Sequence, residues 1–92
     1  MYNDINNFLD KVQIETQSTP QLLANEVMIN RYNHMFEELS EFSQSNNMSD
    51  LPGCVDALVD LVYVALGTAR MMGLSEQQWN ECFKRVQIGR AH

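Results

Sequence analysis

Asp56 to Ala69 reads DALVDLVYVALGTA, and this stretch decides the fold. Val55, Ala57, Leu58, Val59, Leu61, Val62, Val64, Ala65 and Leu66 cover almost the whole circumference of a helix at 100° per residue. The polar stripe that remains is Asp56, Asp60, Tyr63, Gly67 and Arg70, at i, i+4, i+7, i+11 and i+14. A helix apolar nearly all round is expected to be buried nearly all round. Neighbouring short helices of one chain can hardly cover it, so a second copy of the chain is expected against it, as a homodimer or homotetramer.

Upstream, the run FEELSEF (Phe36 to Phe42) supplies a second acidic group, Glu37, Glu38 and Glu41. Carboxylates three or four residues apart share a helix side, and like charges there cost roughly 0.2–0.5 kcal/mol per pair. No Lys or Arg follows these acids at i+4. The bland alternative for a generic EExxE is a solvated helix face. For Asp56 and Asp60 it is pairing with Arg31 or Arg70, because buried carboxylates need a cation. If the two stripes meet across an antiparallel helix pair, four or five carboxylates converge. Such an all-oxygen set suits Mg²⁺, with Mn²⁺ as a substitute, and ions of this kind exchange water for phosphate oxygens. Glu38 and Glu41 share the middle of their stripe, and Glu37 sits about 100° from Glu38, so the first two are the better ligand pair.

Further elements follow from caps and periodicity. Asn3 or Asp4 caps a first helix with Ile5, Phe8, Leu9 and Val12 on one face, ending near Glu15. Thr19 and Pro20 signal the start of a second helix running to Ser43 or Ser45, with Met28, Tyr32, Met35, Leu39 and Phe42 on its apolar side. Arg31, His34, Glu38, Glu41 and Ser45 form the adjoining polar stripe. Ser49 or Asp50 caps the third helix, Pro52 lies in its first turn, and Gly73 ends it. Ser75 and Gln78 form a capping box for a fourth, whose buried face is Trp79, Phe83 and Val86. The expectation is one all-α domain of four helices over residues 1–92, with no repeat and no strand pattern.

Composition bounds the function. The chain has 92 residues, 45% hydrophobic and 20% charged, with a formal net charge of −6. That charge, with six scattered Lys and Arg, argues against nucleic acid and anionic membrane partners. Cys54 and Cys82 lack CxxC spacing and are read as reduced core thiols of a cytoplasmic protein. The longest apolar stretch, Leu61 to Gly67, falls short of the ~20 residues of a membrane span. Neither histidine has a Glu three residues before it, as a di-iron bundle requires. His34 is read as a polar rim residue, and His92 has no assigned role. Tyr63 and Trp79 are aromatic at helical spacing, which signals core more often than a base platform.

RYNHMFEELSEF followed by DALVDLVYVALGTARMMGL resembles the MazG-like all-α nucleoside triphosphate pyrophosphohydrolases, a group that includes phosphoribosyl-ATP pyrophosphatase and dimeric dUTPases. The resemblance spans roughly Arg31 to Gly73. It implies an EExxE motif and an acidic pair on the next helix that hold Mg²⁺, and cleavage of a nucleoside triphosphate between its α and β phosphates. Glu37, Glu38 and Glu41 match the first motif as catalytic residues, and Asp60 matches the end of the second. The family's second motif usually reads ExxD, but Ala57 stands three before Asp60, and Asp56 at four before is the substitute metal ligand. The resemblance also implies a basic tail that holds phosphates, for which Lys84, Arg85 and Arg90 are candidates; Tyr63, as an aromatic able to stack on a base, is a separate substrate-binding candidate. Its alternatives are a noncatalytic helical dimerisation module that kept the fold, or an enzyme acting on a phosphoribosyl nucleotide.

Overall fold

The computed structural model describes residues 19–90, which form three helices and, among the described residues, no strand: α1 (Asn25–Asn47), α2 (Leu51–Met71) and α3 (Glu76–Arg90). The all-α class is as read from sequence. The expected first helix near Ile5 to Glu15 lies outside the described residues.

Local chemistry sets the boundaries. Between α1 and α2 the chain reverses in three residues. Ser49 takes a left-handed conformation (φ 56°), Asp50 N–H donates to Ser45 O at 2.8 Å, and the Asp50 carboxylate accepts from Gly53 N–H at 3.1 Å. Asp50 is therefore the cap, and Pro52 sits in the first turn where its missing N–H costs nothing. At the far end, Leu74 N–H donates to Ala69 O and Gly73 N–H to Arg70 O, with Gly73 at φ 92°. This pairing of bonds closes a helix through a left-handed glycine. The Ser75–Gln78 capping box forms in both directions, at 2.9 and 3.2 Å.

The start of α1 is a correction. Thr19 and Pro20 do not open a helix; residues 19–24 are nonhelical, and Ala24 precedes α1 with an extended backbone and no side-chain cap. Gln21 N–H donates to Met72 O at 2.9 Å, so a bond to the end of α2 holds this segment and overrides the local cap signal. The helix also runs past Ser45 to Asn47.

The core is the antiparallel packing of α1 on α2. Along α1 Val27, Arg31, Met35, Glu38, Phe42 and Ser45 are partly covered at a 3–4 spacing that makes one seam, with Ser40 partly covered off that line. Facing them, α2 contributes Cys54, Ala57, Leu61, Val64 and Thr68. This differs from the apolar side expected for α1: Met28, Tyr32 and Leu39 are exposed, and the seam has turned toward the polar stripe. Small residues on α2 explain the turn. Ala57 is buried on this face and is small, which leaves room for the long side chains of Arg31 and Glu38 along the seam.

The expectation that α2 is buried all round is also corrected within this chain. Leu51, Val55, Leu58, Val59 and Val62 are exposed, Val59 at 59%. Phe83 and Val86 are exposed, so of the expected buried face of α3 Trp79 alone is half-buried. Cys82 is exposed, and only Cys54, half-buried near the Phe42 carbonyl, fits the core-thiol reading. By length and composition alone α2 is long and apolar enough to cross a membrane, with a mean hydropathy of 1.5. Counting only the uninterrupted Leu61 to Gly67 run misses this. The helix nonetheless places Asp56 and Asp60 mid-length and packs against α1, as the core helix of a globular domain does.

Candidate metal centre

Glu38 is the pivot of the site because it is an acid in a helix seam. Its side chain is only 11% exposed, and its Oε2 atom is buried with no hydrogen-bond partner. Across the seam stands Asp60 of α2, and one turn onward stands Glu41. One carboxylate oxygen from each of Glu38, Glu41 and Asp60 can be chosen so that all lie within 4.8 Å of one another. Among the described residues, none of the three pairs with a Lys or Arg. The nearest basic group is His34, whose Nε2 is 3.9 Å from Glu38 Oε1 one turn back.

Desolvation raises the pKa of the Glu38 carboxyl above the ordinary carboxylate range, and the negative charges of Glu41 and Asp60 raise it further. His34 opposes this, and a hydrogen bond with Glu41 adds to the rise. An ionised carboxylate is an acceptor only, and no donor among the described residues reaches Glu38 Oε2. A divalent cation satisfies all of these at once. Three hard oxygen donors, one of them buried and unpartnered, fit Mg²⁺ or Mn²⁺.

The other expected residues fall differently. Glu37 and Asp56 are exposed, and neither belongs to the trio. Ala57, at the usual acid position, is buried at 2% in the seam. Tyr63 is exposed at 39%, one turn from Asp60. Lys84, Arg85 and Arg90 are exposed on α3, and among the described residues none makes an ion pair with the trio. Arg31, one of the two cations considered as partners for Asp56 and Asp60, is engaged elsewhere. Its Nε–H donates to Thr68 Oγ1 at 3.0 Å and its NH2 group to the Val64 carbonyl at 3.1 Å, tying the start of α1 to the end of α2.

Sequence reading did not find the groove beside that tie. Leu22, Met28, Tyr32, Met35 and Met72, with Arg31, line an open groove of about 400 Å³. The available signal was Arg31 itself, seven residues before Glu38 on the same face.

An antiparallel helix pair that brings acids of an EExxE run against an aspartate of the next helix defines the MazG-like class of all-α nucleotide pyrophosphohydrolases. The profile of one family in that class, phosphoribosyl-ATP pyrophosphohydrolase, matches residues 5–89, and the chain belongs to it. Searches of curated proteins and of solved structures returned no match. The family is one of pyrophosphohydrolases acting on nucleotide-like substrates, typically with a metal.

Proposed function

We propose that this chain hydrolyses nucleoside triphosphates to monophosphates and pyrophosphate, with Mg²⁺ held by Glu38, Glu41 and Asp60. The observation that carries this reading is the buried, unpartnered Glu38 oxygen facing two further carboxylates with no cation among the described side chains. A folded protein rarely tolerates such an arrangement without a ligand, because desolvated like charges are costly. When bound, the ion would neutralise phosphate charge and favour loss of pyrophosphate.

The chain's own side chains divide the remaining work. Glu38, low in the seam, fixes position, and His34 orients it from one turn back. Glu41 is exposed beside it and is placed to take a proton from the attacking water as the new P–O bond forms and the α–β anhydride bond breaks. Glu37 and Asp56, at the exposed edges, complete the shell or hold water. Tyr63, Lys84 and Arg85 contact substrate in this proposal. A second copy covers the exposed Val55, Val59 and Val62 face of α2, giving a homodimer or homotetramer. Removal of surplus or noncanonical nucleotides in the cytoplasm is the cellular role this chemistry suits.

The family match favours a second substrate reading, a phosphoribosyl nucleotide. One assay separates the two: pyrophosphate release from a panel of canonical and modified nucleoside triphosphates and phosphoribosyl-ATP, with Mg²⁺ or Mn²⁺ and with EDTA controls. Metal-dependent release from triphosphates supports the proposal, and release from phosphoribosyl-ATP alone moves the assignment to that substrate. No release from any compound, with no metal-induced stabilisation, leaves the noncatalytic dimerisation module.

A further inference from the structure

We infer that α3 of one copy lies antiparallel on the bare face of α2 in a second copy, and carries its Lys84 to the flank of that copy's carboxylate trio. The inference rests on the proposed assembly and names the element that makes it.

Two bare stretches of matching length stand on the one chain. The outer face of α2 is exposed at Leu51, Val55, Leu58, Val59 and Val62 and then closes, with Leu66 at 3% and Ala69 at 5% exposed. On α3 Trp79 is half-buried, and every residue from Asn80 to Arg90 is exposed, Phe83 and Val86 among them. The bare part of α2, Leu51 to Tyr63, is about 18 Å long and that of α3 about 15 Å. Contiguous apolar faces left in water mark interaction sites. Within one chain α3 does not run back along α2, since the extensive helix packing among the described residues is that of α1 on α2.

The two faces also share a spacing. Val55, Val59 and Val62 fall at i, i+4 and i+7, and so do Trp79, Phe83 and Val86, so each set is one ridge. A two-fold pair of chains covers both ridges twice, with no third surface needed.

Charge favours a second copy as the occupant. Asp56 and Asp60, both exposed, lie about 90° and 130° round from the α2 ridge, on one side of it. On α3, Lys84 lies about 130° round from its ridge, and Glu81, the acid of the bare stretch, faces away from it. An anionic membrane or nucleic acid would instead meet the two aspartates with like charge.

Helix dipoles set the direction, because antiparallel neighbours bring opposite ends together. Reversing one helix makes equal rotations fall on the same side, so Lys84 then stands on the Asp56 and Asp60 side. Centring the two bare stretches sets Lys84 level with Leu58, about 3 Å along the axis from each aspartate. Asp56 is the acid left outside the trio, and among the described residues Lys84 makes no ion pair in its own chain. In the pair of copies these two meet, and the Lys84 ammonium stands beside the other copy's centre, where it can hold a phosphate.

The test needs neither metal nor turnover. The full chain carrying benzoylphenylalanine in place of Val59, as an equal mixture of ¹⁴N and ¹⁵N copies in EDTA, is irradiated, digested and read by mass spectrometry alongside sedimentation. Mixed-isotope links from position 59 to the peptide bearing Phe83 and Val86 are expected. A self-associating chain whose links stay within one copy, to residues 1–18 or to its own α3, or join α2 to α2, would overturn the inference and leave the assembly standing. A monomer would remove both. In the otherwise native chain, Lys84→Glu and Asp56→Lys should each weaken self-association about tenfold, because two-fold symmetry breaks the pair twice, and the double variant should restore it to within about twofold. No recovery in the double variant, or an effect of Arg85→Glu where Lys84→Glu has none, would overturn the placement of Lys84.

Discussion

Replacing Glu38 by glutamine should strengthen the metal-free protein while abolishing its response to magnesium. Oxygens of Glu38, Glu41 and Asp60 lie within 4.8 Å of one another. Unit charges at that distance repel by about 1 kcal/mol in bulk water and about 3.5 kcal/mol at an effective dielectric of 20. Glu41 and Asp60 are exposed, so the watery end of that range applies to most of the interaction. Removing one charge from two pairs should then stabilise the apo protein by about 1–2 kcal/mol. For a domain of this size that is a rise in Tm of roughly 4–8 °C per kcal/mol.

The pH dependence has a definite sign. A carboxyl whose folded pKa is raised favours the folded state most when protonated, and that advantage is lost as pH rises from the ordinary carboxylate range through the raised value. In EDTA the wild-type protein should lose stability across that window, and Glu38→Gln should lose less. With Mg²⁺ at about 100 times its Kd the wild type should regain about 2.7 kcal/mol and the variant almost nothing. Denaturant titrations of both proteins, with and without metal and at several pH values, supply the comparison. If Glu38→Gln were less stable than wild type in EDTA and both responded equally to Mg²⁺, the charge argument for the centre would be wrong.

Other perturbations probe neighbouring parts. Ala57→Glu restores an acid at the usual family position, and it should enlarge the Mg²⁺-induced rise in Tm while lowering stability in EDTA, both read by thermal unfolding. Gly53→Ala would gain up to about 1 kcal/mol of helix propensity, but its Cβ would collide with the Asp50 carboxylate and come within 2.7 Å of Ser45 Oγ; with the cap lost at a cost of up to about 2 kcal/mol, the variant should show no gain and a net loss of up to about 1 kcal/mol in urea denaturation. Val59→Lys, at a position 59% exposed, should convert a dimer or tetramer to monomer by sedimentation while Mg²⁺ binding persists. A wild-type protein that is already monomeric would contradict the proposed assembly.

Signals written in a few adjacent residues were legible: the Asp50 cap, the Gly73 stop and the Ser75–Gln78 box formed as their spacing predicts. Glu38, Glu41 and Asp60 were legible as members of two acidic stripes, because helical spacing puts each set on one side of its own helix, but spacing alone did not separate Asp60 from Asp56, which stays outside the trio. What failed was anything decided between elements. Ranking residues by apolarity chose Met28, Tyr32 and Leu39 for the α1 seam. The structure chose Val27, Arg31 and Glu38, with the small Ala57 on the facing side of α2 leaving room for long polar side chains. Thr19 and Pro20 read as a helix start because no local signal reveals the bond from Gln21 to Met72. The groove was illegible for the same reason, since its walls come from three separated stretches of chain.

The turn at Ser49 and Asp50 and the Arg31 tie to Thr68 close the helix pair at opposite ends, with the carboxylates between them. A slip of one residue between the helices would move an acid about 1.5 Å along the axis and swing it through about 100°. The two fastenings therefore act as a gauge, and everything that defines the trio's spacing is contained in one contiguous hairpin. Surrounding helices, tails and subunit contacts are free to diverge in evolution without disturbing that spacing. New substrates are then reached by altering the walls while the hairpin is inherited whole.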